Sequence, residues 1–268
     1  MSRVGSAEQG ASVTDSQTRQ GNGGDVIDDI PLGPPLVADG LAAEGSVAGP
    51  IARPPLDRNM REIKDGVLRM GGLAERQLHA AIDALVAHDA AAALEVMQGD
   101  RAVNEMQRQL TGLIATTIAT QSPVARDLRF LLSLDHVVYE LERIADHAAS
   151  VAKQARLLAP EPPLKDYVEL PRMGRLAAEL VHGILRALVD VDADTAREVA
   201  RGDDDIDAIY HRIFDEVVGL MQANAANVAR GTRIILASHY IERIGDRVTN
   251  IAEDIVFLSS GAVEDLNP

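Results

Sequence analysis

The 268 residues contain no cysteine and no tryptophan, and 26 Lys and Arg stand against 41 Asp and Glu for a formal net charge of -15. Without cysteine there are no disulfides, thiolate metal sites or cysteine nucleophiles, so any metal must be held by oxygen or imidazole. The acidic balance repels a polyanionic backbone, and aromatic side chains at 3% leave few stacking platforms, which together argue against direct binding of nucleic acid.

Residues 1–55 are dominated by Gly, Ala, Ser, Asp and Pro and end in the Pro-rich stretch from Pro50 to Pro55. Such a composition buries too little apolar area to offset ordering and predicts a disordered tail. Met1 to Gln20 lacks a basic start followed by an apolar run, and no uncharged apolar stretch is long enough to span a bilayer. The expectation is a cytoplasmic protein that reaches a membrane only through partners.

From Asn59 onward apolar residues fall at helical spacing. Met60, Ile63, Val67, Met70, Ala74, Leu78, Ile82 and Leu85 predict a first amphipathic helix. Asp89 reads as the N-cap of a second helix carrying Val96, Val103, Met106, Leu110, Leu113 and Ile118, which Gln121, Ser122 and Pro123 interrupt. A third is predicted from near Ala125 to about Leu158, with Phe130, Val137, Ile144 and Val151 seven residues apart beside Leu134, Leu141 and Ala148. Prolines between Ala159 and Pro163 end the first half.

The second half repeats the first. An offset of 103 pairs Ala84, Leu85 and Val86 with Ala187, Leu188 and Val189, and likewise Asp89 with Asp192, Gly99 with Gly202 and Asp100 with Asp203. In the third helix of each half the offset is 100, pairing Glu142, Arg143, Ile144 and Asp146 with Glu242, Arg243, Ile244 and Asp246. The sixth helix carries two apolar series, Ile234, Ile241, Val248, Ile255 and Ala237, Ile244, Ile251, Leu258, a seam suited to a bundle. The fold class expected is all-α: two tandem three-helix bundle repeats over residues 56–160 and 164–262, six long helices, and a short C-terminal tail over 263–268.

With Ile241 and Ile244 turned inward, Glu242 and Asp246 fall on the other side of the sixth helix, one turn apart, and Asn250 and Glu253 extend an outward oxygen-rich stripe. Like charges at that spacing disfavour a helix by about 0.2 to 0.5 kcal/mol per pair, so something must neutralise them. Surface ion pairs to Arg243 and Arg247 are one solution; a cation bridging the carboxylates is the other. Two features favour the cation. Glu-Arg-Ile-x-Asp occurs in both halves, and each half carries a partner pair on its second helix, Asp203 with Asp207 and Asp100 with Asn104. If those helices lie side by side, oxygen ligands from two helices converge, as in carboxylate bundles. Iron, Mn or Mg suits such a donor set and Zn is admissible, so the expected cofactor is a divalent or trivalent metal ion. The first half is the weaker site, because Asn104 and Ser150 replace Asp207 and Asn250. His136 and His239 lie near the motifs but are set aside as packing or surface residues. There is one Glu-x-x-His pair, Glu179 with His182, where a di-iron centre wants two. No Gly-rich phosphate loop or Gly-x-Ser-x-Gly elbow is present, so no enzymatic machinery is visible. A metal-dependent phosphohydrolase or oxidase using the carboxylates is the alternative, and a salt-bridged helical adaptor the third reading.

At these residues the chain resembles the PhoU family of accessory regulators of bacterial phosphate transport. The resemblance rests on Leu141 to His147, on Ile241 to Arg247 with Asn250 to Glu253, on the loop from Gln121 to Arg129, and on Met70-Gly71-Gly72 followed by Glu75 and Leu78. It spans about residues 59 to 259. It implies a pair of three-helix bundles with acidic motifs that bind metal clusters at the surface, and a homodimer. The implied role is negative regulation of the phosphate-starvation response, between the phosphate ABC importer's ATPase subunit and its sensor histidine kinase. Carried over by position, the metal ligands are Asp203, Asp207, Glu242, Asp246 and Asn250 in the second half, and Asp100, Asn104, Glu142 and Asp146 in the first. Ala145 stands where the second copy has Gly245, adding a methyl beside the first motif, and the long N-terminal tail departs from the family pattern.

Overall fold

A computed structural model describes residues 54–166 and 168–267; the predicted tail over residues 1–55 lies outside them but for its last two residues, which begin the first helix. Each apolar series becomes a helix. The elements are α1 (Pro54–Ala87), α2 (Ala90–Gln121), α3 (Arg126–Leu158), α4 (Glu169–Asp190), α5 (Ala193–Ala200), α6 (Asp203–Ala223) and α7 (Val228–Ser260), with one 3-10 turn at Ala225–Asn227. No strand occurs among the described residues. α1 to α3 make the first three-helix repeat and α4 to α7 the second.

The joints between the first and second helices of the two halves are built alike. His88 and Val191 both take the left-handed conformation at φ 52°. The amide of the next residue then reaches back to the preceding helix, Asp89 N to Ala84 O at 3.0 Å and Asp192 N to Ala187 O at 2.9 Å, the pattern that satisfies the last carbonyls of a helix. That same aspartate caps the following helix: Asp89 accepts from the amides of Ala91 and Ala92, and Asp192 from those of Asp194 and Thr195. Two joints with the same backbone geometry support the duplication read from the chain.

The long seam is formed by α3 and α7, which lie against each other and join the halves. Val137, Leu141, Ile144 and Val151 on α3 and Ile241, Ile244, Val248 and Ile255 on α7 are all sealed from solvent, each contributing about 1.5 to 3 kcal/mol of apolar burial. α1 and α4 make the second contact between halves. Small residues set their spacing: a methyl added to Gly71 would overlap Leu185, and one added to Gly174 would stand 2.6 Å from Ile82 Cδ1.

Two details differ from the sequence reading. The fifth of the six expected helices is broken at Arg201–Gly202 into α5 and α6, whereas its counterpart α2 runs through the equivalent Gly99. Gly202 packs so closely that a Cβ there would lie 2.5 Å from Leu180 Cδ2, while one on Gly99 would meet nothing. Asp203, Asp204 and Asp205 then fill the first turn of α6, where a helix N-terminus favours negative charge; the first half has Asp100, Arg101 and Ala102 there. The C-terminal residues also fold back, with Arg197 donating to both oxygens of Glu264 at 3.0 and 2.7 Å and Leu266 N donating to Glu253 Oε1 at 3.0 Å.

Candidate metal centre

α6 and α7 pack side by side, so the Asp203–Asp207 pair faces the Glu242–Asp246 pair across the helix contact. This corrects the expectation of an outward stripe. Asp203 is only 5% exposed, and Asp207, Glu242 and Asp246 are half-buried, because the face of α7 opposite Ile241 is covered by α6. Gly245 makes the approach feasible: a Cβ there would overlap Asp203 Oδ1.

The electrostatics follow from that crowding. Burial, reinforced by the carboxylates of Asp246, Asp207 and Glu242, pushes Asp203 up to about 7. Asp207 is raised by burial and then by Asp246, and Glu242 likewise by burial and then Asp246. Two neighbours offset part of the repulsion: Arg243 pairs with Asp246 at 2.6 Å and His239 with Glu242 at 3.3 Å. Asp203 Oδ1 and Asp207 Oδ1 are buried and accept no hydrogen bond, which leaves them costly for a protein interior.

The first half resolves the same problem internally. Asp100 accepts from Gln77 Nε2 at 3.3 Å and from Asn104 Nδ2 at 2.8 Å, and the Gln77 amide also donates to Ala145 O at 3.2 Å. Glu142, 7% exposed, accepts from Arg143 Nε at 2.6 Å, and Arg143 lies 3.9 Å from Asp146. Where the second half has Leu180, Gly245 and Asp207, the first has Gln77, Ala145 and Asn104, and each change supplies a donor or fills the space.

Asn250 does not join the Asp203 group. Its Nδ2 donates to Glu140 Oε1 on α3 at 3.2 Å, and Arg247 donates to Glu140 Oε2 at 3.3 Å. Glu140 is 1% exposed and also has His136 at 3.4 Å, which in turn holds Asp254 at 2.6 Å. Burial raises Asp254 to about 7 despite His136. This network across the α3–α7 seam was missed in the sequence because Glu140 and Asp254 belong to no repeated motif; their counterparts are Tyr240 and Gln154. Nearby His147 is half-buried; that desolvation, with Arg247, Arg243 and Arg143 adding to it, lowers the ring to about 4, so it is neutral at physiological pH.

The PhoU domain model matches the chain twice, over residues 67–155 and 170–255. The chain belongs to the PhoU family. It is 34% identical over 218 residues to a phosphate-specific transport system accessory protein PhoU homolog of Clostridium acetobutylicum, covering 81% of this chain and all of that one. The crystal structure of PhoU from Pseudomonas aeruginosa superimposes with a TM-score of 0.75 at 34% identity, covering 77% of this chain and all of that one. The phosphate transport system regulatory protein PhoU from Streptococcus pneumoniae gives 0.73 at 28% identity, covering 78% and 99%. Each family match contains one Glu-Arg-Ile-x-Asp motif, so the duplicated unit and the family's domain coincide.

Among the described residues no three His, Asp or Glu side chains stand ready-made in ligating geometry. In the second half this reflects Asp246 turned to Arg243 and Glu242 turned to His239, and the orphaned oxygens of Asp203 and Asp207 fit a cation. In the first half they do not, since Asp100 and Glu142 already have donors.

Proposed function

We propose that this chain is a regulatory module of phosphate uptake, a negative regulator of the phosphate-starvation response acting between a phosphate ABC importer and its sensor histidine kinase. The reading is supported by family membership over both halves and by the phosphate-transport role that the relatives are named for. Its partners are the importer's ATPase subunit and the kinase, it works as a homodimer in the cytoplasm, and it is not an enzyme. No helix among the described residues is long and apolar enough to cross a membrane, which suits a module that meets the importer through protein contact.

Asp203, Asp207, Glu242 and Asp246 are the residues that would hold a metal ion, of a hard or borderline kind such as iron, Mn, Mg or Zn. A bound cation supplies the positive charge that four converging carboxylates lack. The observation carrying this part is the pair of buried carboxylate oxygens on Asp203 and Asp207 without a hydrogen-bond partner. Gly245 keeps the space open, and Arg243 and His239 hold the remaining two carboxylates at its edge.

The test of function is genetic. Deleting the gene in its host and following a phosphate-responsive promoter in phosphate-replete medium should show expression that is high and constitutive, restored to repression by the wild-type copy. Normal repression in a deletion strain with no second copy of the gene would overturn the proposal.

A further inference from the structure

The molecule is strongly acidic, yet the charged residues lining one cavity are all basic. Lys64 from α1, Arg126 and Arg129 from the start of α3, and Ser259 and Ser260 from the end of α7 surround a cleft of about 720 Å³, closed by Phe130, Val191 and Leu258. That volume lies within the range of small-ligand sites. None of the three bases takes part in any of the ion pairs found among the described residues, and no carboxylate lines the cleft.

Two of the bases are held in place by the fold. Lys64 Nζ donates to Val189 O at 2.6 Å at the end of α4. The Arg129 guanidinium sits over the Phe257 ring at 5.7 Å and fills the space beside Gly261, whose φ of 79° ends α7 and where any Cβ would overlap Arg129 Nη1. Arg126 is exposed at the rim. Arg126 and Arg129 stand at the start of α3, whose N-cap residue Ala125 provides no side-chain acceptor and whose first-turn acid, Asp127, is not in the cleft lining. Holding three like charges around one cleft costs free energy unless an anion offsets it.

We propose that this cleft binds a phosphoryl group of a small molecule, with Lys64, Arg126 and Arg129 as its donors and the Phe130–Val191–Leu258 wall available to the rest of the ligand. Arginine forks and a lysine point charge are the donors that suit phosphate oxygens. The site draws on both halves and stands apart from the carboxylate cluster, so it does not depend on the metal reading.

The test is calorimetric titration of the full chain, stripped of metal, with two probes: orthophosphate and ATP without magnesium. At least one should bind saturably with Kd tighter than about 1 mM, as a few charge-assisted contacts allow. Arg129→Gln and Lys64→Gln should each weaken it about tenfold, with Arg108→Gln, which removes a surface base of α2 paired with Glu105, unchanged. Arg126→Gln, on the surface, should also weaken it without affecting folding, which guards against loss through misfolding at Arg129. Equal affinity for both probes assigns recognition to the phosphoryl group alone, and tighter ATP binding brings in the apolar wall; either supports the site. No saturable binding of either probe, or binding indifferent to all three substitutions, would overturn it.

Discussion

Asp100 and Asp203 occupy the same place in the two repeats and meet opposite surroundings. Asp100 receives two side-chain amides, whereas Asp203 faces three carboxylates and keeps one oxygen unpartnered. A raised carboxyl value means the folded chain holds that proton more tightly than the unfolded one. The contribution of Asp203 to the stability of the metal-free protein is therefore fully present at acidic pH, below the ordinary carboxyl range, and is lost as pH rises through about 7, the value to which Asp203 is pushed. Asp207→Asn copies the Asn104 arrangement of the first half and gives Asp203 a donor. Thermal unfolding in chelator should show the variant more stable than wild type by about 1 kcal/mol at pH 8, with a flatter pH dependence; a less stable variant at every pH would contradict the assignment. The motif residues and the contrast between Ala145 and Gly245 were legible in the chain, since both survive as aligned positions. The intrusion of Gln77 was not, because it depends on which way a distant side chain on α1 turns.

At the scale of elements, periodicity placed the helices well because apolar residues at three-and-four spacing have to be buried on one side. It did not reveal the break between α5 and α6, which comes from the tight seat of Gly202 on Leu180 and the aspartates that follow. Nor did it show that α6 covers the acidic face of α7; a stripe opposite an apolar seam reads as solvated until a neighbouring helix is positioned over it. Polar contacts across the α3–α7 seam were equally hidden. Glu140 anchors Arg247, Asn250 and His136 there, so Glu140→Ala leaves a half-buried guanidinium and an amide without their acceptor. Chemical denaturation should register a loss of about 2 kcal/mol, whereas a neutral effect would show the network to be incidental to the seam.

Above the level of single helices, the two repeats among the described residues share one core through α3 with α7 and α1 with α4, and this ties the two copies of the duplication to each other. The family match over both halves and the superposition on PhoU structures agree with an architecture read from the internal repeat. Gly71 and Gly174 set the distance between α1 and α4, so Gly174→Leu should cost about 2 kcal/mol or more through overpacking. Calorimetric unfolding should nonetheless remain a single transition; two separated transitions would mean that the halves fold independently.

The carboxylate centre is tested most directly by titrating metal-stripped protein with Mn²⁺ or Zn²⁺ and comparing variants from the two halves. Asp203→Ala and Glu242→Ala should each abolish the tightest site while Asp100→Ala leaves it intact. Loss of that site in Asp100→Ala, or binding unchanged in all three, would contradict it.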